Sequence, residues 1–111
     1  MGSFYRLLIM CENDKKIKID EILGVSKNNV EIGWELIIEE TSILFNQALN
    51  YLAELIESNL GSLRSAGISS EMVTVWYMYE YEQQCNMEFH PDIMKKLGDL
   101  DIVLCISCWE K

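Results

Sequence analysis

The chain has 111 residues, half of them apolar, and eighteen acids against nine bases give it a formal charge of −9. That length suits a single globular domain over residues 1–111, and one proline with six glycines excludes a low-complexity or disordered composition. The charge excludes a nucleic-acid backbone or an anionic membrane as partner, since both need clustered Lys and Arg, and no apolar run approaches the roughly 20 residues of a membrane span.

In chain order, residues 4–11 form a dense apolar run with β-favouring side chains, expected to be a buried strand. The run lacks the basic leader and small-residue cleavage site of a secretion signal, so a soluble cytoplasmic protein is expected. A polar turn follows. Asp20 then suits the N-cap of one helical turn that Gly24 stops. Residues 30–39 alternate with period two: Val30, Ile32, Trp34, Leu36 and Ile38 point one way, and Glu31, Gly33, Glu35 and Glu39 the other. The expectation is a half-buried strand whose wet face is acidic.

Thr41 or Ser42 can cap a long amphipathic helix with Phe45, Leu49, Leu52, Leu60 and Leu63 on its apolar stripe. Gly67 closes it, and Gly61 is a point where it can shorten or bend. Residues 72–81 read as the next strand, with Tyr77, Tyr79 and Tyr81 on one face and Trp76 on the other. A polar break at Glu82, Gln83 and Gln84 suggests a hairpin into a further strand over residues 85–90. Pro91 opens a short helix that Gly98 ends. Residues 102–109 then form the last strand. Its two apolar faces, Ile102, Leu104, Ile106 and Cys108 against Val103 and Cys105, predict a central position in the sheet. The order β-α-β-α-β-β-α-β implies an α+β fold: a mainly antiparallel sheet of about five strands with one long and two short helices on one face.

No catalytic motif stands out. Cys105 and Cys108 form a C-x-x-C inside a strand, where residues three apart point to opposite faces, unlike the helix-start dithiol of redox proteins. Cys85 and His90 would complete a four-ligand zinc set by number but not by spacing. The four cysteines accord with free thiols in a reducing compartment. His90 is the single histidine, and no nucleophile elbow accompanies it. No cofactor or metal is expected, and the chain is read as non-enzymatic.

What remains is surface. Six acids and no base lie between Lys27 and Arg64, and five acids and no base between Arg64 and Lys95. An acidic surface steers a basic partner, and tyrosines give contact area at low entropic cost. The candidate binding surface is therefore Glu31, Glu35, Glu39, Tyr77, Tyr79, Tyr81, Trp34, Trp76 and His90, for a basic protein partner. The alternative is a small-molecule-binding domain or cryptic enzyme with a pocket between helix and sheet near Trp34, Trp76 and His90. A homodimer on an exposed sheet edge or aromatic face fits either reading.

Taken in order, Leu23-Gly24-Val25, Gly33-Trp34-Glu35-Leu36, Trp76-Tyr77-Met78-Tyr79-Glu80-Tyr81, the run from Gln84 to Pro91, Leu97-Gly98-Asp99-Leu100 and Ile106-Ser107-Cys108-Trp109-Glu110 resemble a family of small bacterial proteins known only as a domain of unknown function. The resemblance spans nearly the whole chain and implies no activity. In size and charge the chain is also similar to bacterial immunity proteins, which neutralise a toxin by binding it.

Overall fold

A computed structural model describes residues 2–24, 33–39, 45–83 and 87–111. Strand β1 (Phe4–Ile9) leads through a 3-10 turn at Asn13–Lys15 into α1 (Lys16–Leu23). Gly24 ends α1 in the left-handed conformation, its amide donating to the Asp20 carbonyl. Strand β2 (Trp34–Glu39), helices α2 (Phe45–Glu57) and α3 (Leu60–Ser65), strand β3 (Val73–Tyr81), helix α4 (Pro91–Asp99) and strand β4 (Val103–Glu110) complete the order.

The class is α+β, as expected, but among the described residues the sheet has four strands in the order β2-β1-β3-β4 and is mixed. β1 pairs antiparallel with both β2 and β3, whereas β3 and β4 run parallel. The expected hairpin partner accounts for the difference. Residues 87–90 are not strand, and residues 84–86 lie outside those described. Without that strand, α4 becomes the crossover of a β-α-β unit, and a crossover between neighbouring strands makes them parallel.

The long helix expected after residue 42 is two helices. The break falls at Ser58 and Asn59, not at Gly61. The Asn59 side-chain amide donates to the Leu55 carbonyl at 2.8 Å, and its backbone amide tightens onto Ile56. A side chain that competes for a backbone carbonyl in this way ends the regular ladder. The proposed caps Thr41 and Ser42 lie outside the described residues.

Asp20 is not a cap. It sits inside α1, which starts a turn earlier than the pattern suggested, and its carboxylate accepts the Trp34 indole N–H at 2.7 Å. Two helix ends use the same six-residue closure. After α3, Gly67 takes positive φ and the Ile68 amide returns to Leu63. After α4, Asp101 takes positive φ (57°) and the Ile102 amide returns to Leu97. Thus α4 runs one residue past Gly98, and an aspartate occupies the position that glycine was expected to mark.

The core lies between one sheet face and the helices. Tyr5, Leu7 and Ile9 of β1, Val75 and Tyr77 of β3 and Trp34 of β2 pack against Ile19, Leu49, Leu52 and Ile93. Gly33 sets the entry to β2. It holds φ +86°, and a Cβ there would stand 2.8 Å from the Ile9 carbonyl oxygen. Gly33→Ala should therefore lower stability by at least about 1–2 kcal/mol, the usual left-handed penalty, before any backbone displacement. A lower urea midpoint at unchanged slope would show it, and an unchanged midpoint would contradict the close approach.

Candidate functional site: the helix-free sheet face

Side chains alternate across a strand, so the registers define two faces. Phe4, Arg6 and Leu8 share one face with Glu35, Ile37 and Glu39 of β2 and with Thr74, Trp76, Met78 and Glu80 of β3. Val103, Cys105, Ser107 and Trp109 extend that face across β4. The core and its helices occupy the opposite face. β1 was expected to be a buried strand. It is central in the sheet, yet Phe4, Arg6 and Leu8 are only half-buried, because among the described residues no helix covers them.

On the β2 side of this face Arg6 and Glu35 form an ion pair between neighbouring strands. Glu35 is 6% exposed and is the one charged side chain buried among the described residues. The guanidinium also lies 6.0 Å from the Trp76 ring centroid, within cation–π range. The aromatic groups around the pair are held in place. Trp76 donates its indole N–H to the Thr74 hydroxyl at 3.0 Å, and Trp109 donates to the Glu80 carboxylate at 3.1 Å. Phe4 lies 6.5 Å from Trp109, ring centroid to ring centroid. The arrangement is apolar and aromatic through its middle, with Glu39 at one margin and Glu80 at another. Arg6 is the one cation within its strands among the described residues and is already paired, and Lys111 just beyond the end of β4 is paired with Glu82.

The expected binding residues scatter over this frame. Trp76 and Glu39 lie on the helix-free face. Glu35 shares it but is buried under Arg6, so the expected wet acidic row is corrected there: β1 supplies a counter-ion directly beside it. Glu31 lies outside the described residues. Trp34 is fully buried in the core, and Tyr77 is 5% exposed. The tyrosine row faces the helices, with Tyr77 stacked on Tyr5 at 4.8 Å and continuing to Tyr79 and Tyr81 at 5.3 and 6.4 Å. It is a core ladder that emerges half-buried at its far end, not a separate surface. His90 is exposed at the entry to α4.

Trp34, Trp76 and His90 do not converge. The two tryptophans are on opposite sides of the sheet, so the pocket expected between them is not formed by these residues. An open depression of about 440 Å³ lies elsewhere, lined by Arg64, Gly67, Ile68, Ser69 and Ser70. Cys105 and Cys108 fall on opposite faces of β4, as their pairing with Trp76 and Tyr79 shows. Burial raises the Cys11 thiol above its ordinary pKa, which makes it a poorer nucleophile. Among the described residues no three His, Cys, Asp or Glu side chains cluster as metal ligands, and no helix is long and apolar enough to cross a membrane.

Sequence reasoning missed Phe4, Arg6, Leu8, Met78, Glu80 and Trp109 as members of one surface. The signal was present in the spacing: residues 4, 6, 8 and 76, 78, 80 are the alternate positions of two strands. Reading residues 4–11 as one dense apolar run hid it, although residues 72–81 were already divided by face. Comparison of the chain with protein-family models, curated proteins and solved structures finds no match.

Proposed function

We propose that the chain is a non-enzymatic binding protein, of the immunity-protein kind in size and charge, that holds a basic protein partner against the helix-free face of its sheet. One observation carries this reading. Phe4, Leu8, Trp76, Met78 and Trp109 form a half-buried apolar and aromatic field whose unpaired charges among the described residues are carboxylates. A contiguous apolar patch with a polar rim is the usual form of a protein-binding surface, and fixed tryptophans are its strongest anchors. Arg6 contributes no net charge because Glu35 neutralises it. The complement is a partner with an apolar centre and Lys or Arg at its margin.

The roles separate by type. Trp76 and Trp109 supply contact area and slow dissociation, whereas Glu39 and Glu80 act at longer range and raise the encounter rate. The test starts with low-salt capture from host lysate on the native chain and on two variants, Trp76→Ala and the pair Glu39→Lys with Glu80→Lys. A basic protein retained by the native chain should be lost from both variants. With that protein purified, the charge-reversed pair should slow association by about tenfold or more at low salt, with the difference shrinking as salt is raised. Equal retention on all three chains would remove this face as the binding surface.

A further inference from the structure

The last strand lies where its sequence does not belong. Its two apolar faces suit a central strand, yet β4 is the outermost strand of the sheet. Val103 is 60% exposed on one face and Ile106 36% on the other. From Val103 to Trp109 it carries no charge and no proline. Natural edge strands are normally blunted by lysine, proline or an inward charge, because an open edge recruits another strand. The opposite edge, β2, carries Glu35 within its span as well as Glu39 at its end; β4 carries a charge only at its last residue, Glu110.

The backbone direction at this edge can be read from one hydrogen bond. The Lys111 amide donates to the Tyr81 carbonyl at 2.8 Å, so Lys111, and with it Trp109, Ser107, Cys105 and Val103, turn their backbone groups towards β3. By alternation, the backbone groups of Leu104 and Ile106 point outward.

We infer that β4 is the seam of a symmetric dimer, in which the β4 strands of two copies pair antiparallel about a two-fold axis through Ile106. This register sets outward-pointing residues opposite one another, Ile106 against Ile106 and Leu104 against Cys108, as hydrogen-bonded antiparallel pairs require. It places Trp109 of each copy over the exposed Val103 of the other, on the helix-free face. It also sets Lys111 opposite Asp101 of the second copy. Lys111 already lies 3.3 Å from Glu82 at an exposed position, so there it bridges two acids. The seam is thus uncharged through its middle and complementary at both ends, which lets two chains of −9 meet without like charges in contact. A two-fold contact of this kind is closed and does not propagate into fibres. The result is an eight-stranded sheet whose helix-free faces lie on one side and join into one surface. The dimer goes beyond the partner reading and does not depend on it.

Light scattering on the purified full chain should give twice the chain mass, and Ile106→Lys should give the single-chain mass with an unchanged far-UV circular dichroism spectrum. A second variant fixes the register without disturbing folding. Cys105 and Ser107 of opposing strands would form a non-hydrogen-bonded pair, with Cα atoms about 4.5 Å apart, within disulfide range. Ser107→Cys should therefore cross-link under mild oxidation, with peptide mapping showing the introduced thiol of one chain bonded to Cys105 of the other. A single-chain mass at all concentrations, a dimer that survives Ile106→Lys, or a Ser107→Cys bond to any other cysteine would overturn the inference. Loss of the dimer would leave the partner test on Trp76 untouched, since Trp76 lies two strands away from the second copy.

Discussion

Arg6→Met is expected to remove about 3–5 kcal/mol of stability, a large share of the roughly 5–15 kcal/mol available to a domain of this size. The cost does not come from losing an attraction. It comes from leaving the Glu35 carboxylate buried beside β1 with its counter-ion gone. The reverse change should cost less. In Glu35→Gln the guanidinium that loses its partner is about a quarter exposed, so water can take over part of the solvation. Replacing both, Arg6→Met with Glu35→Leu, should recover most of the loss or exceed native stability, because a buried pair repays its desolvation only in part. Urea unfolding of the native chain, Arg6→Met, Glu35→Leu and the double variant closes the cycle that gives the coupling energy. If Arg6→Met and Glu35→Gln cost the same small amount, the pair is solvated and the face is more open than its burial implies. The pair also bears on binding: a partner that covers this face must dehydrate Arg6 further, which favours partners that bring an acceptor to it.

The particular residues show why the class was legible and the site was not. The class followed from local signals that tertiary packing did not override. Phe4–Ile9 and Val73–Tyr81 are apolar runs of strand length, Pro91 opens α4, and Gly24 and Gly67 occupy left-handed helix ends. Strand pairing is non-local. Nothing between residues 82 and 90 says whether the chain turns back to pair with β3 or passes on to α4, and that one difference turns an antiparallel five-stranded sheet into a mixed four-stranded one. Position within the sheet was hidden for the same reason, since β4 has the composition of a central strand and lies at the edge.

The site failed on a question of faces. Alternation shows that Tyr77, Tyr79 and Tyr81 share a side, and that Trp76 takes the other, but not which side the helices cover. Tyr5 and Leu7, in register with Tyr77 and Val75, decide it. Glu35 was read as wet because acids usually are. Its burial depends on Arg6, 29 residues away in sequence and brought diagonally beside it only by the β1–β2 register, which sets Arg6 against Ile37 and Glu35 against Leu8. An acidic count of eighteen is visible at once; which of those carboxylates remain unpaired is not.

Trp34 gives the second large effect. It is the largest fully buried side chain, and its indole N–H ties β2 to the Asp20 carboxylate in α1 at 2.7 Å. Trp34→Ala should cost about 3–5 kcal/mol through lost burial and the cavity left behind, with a further penalty for the abandoned carboxylate. Two milder changes separate those terms. Trp34→Phe keeps most of the apolar volume but loses the donor, so its cost should lie nearer about 1–2 kcal/mol. Asp20→Asn keeps an acceptor oxygen in place and should cost least. The urea midpoints should fall in the order native, Asp20→Asn, Trp34→Phe, Trp34→Ala. A Trp34→Phe chain as unstable as Trp34→Ala would instead make the hydrogen bond, and not the packing, the main restraint on β2. Because β2 supplies Glu35 and Glu39 to the helix-free face, loosening Trp34 would also displace both carboxylates. Partner binding should therefore weaken in Trp34→Phe even though residue 34 faces away from the partner, and in proportion to its loss of stability.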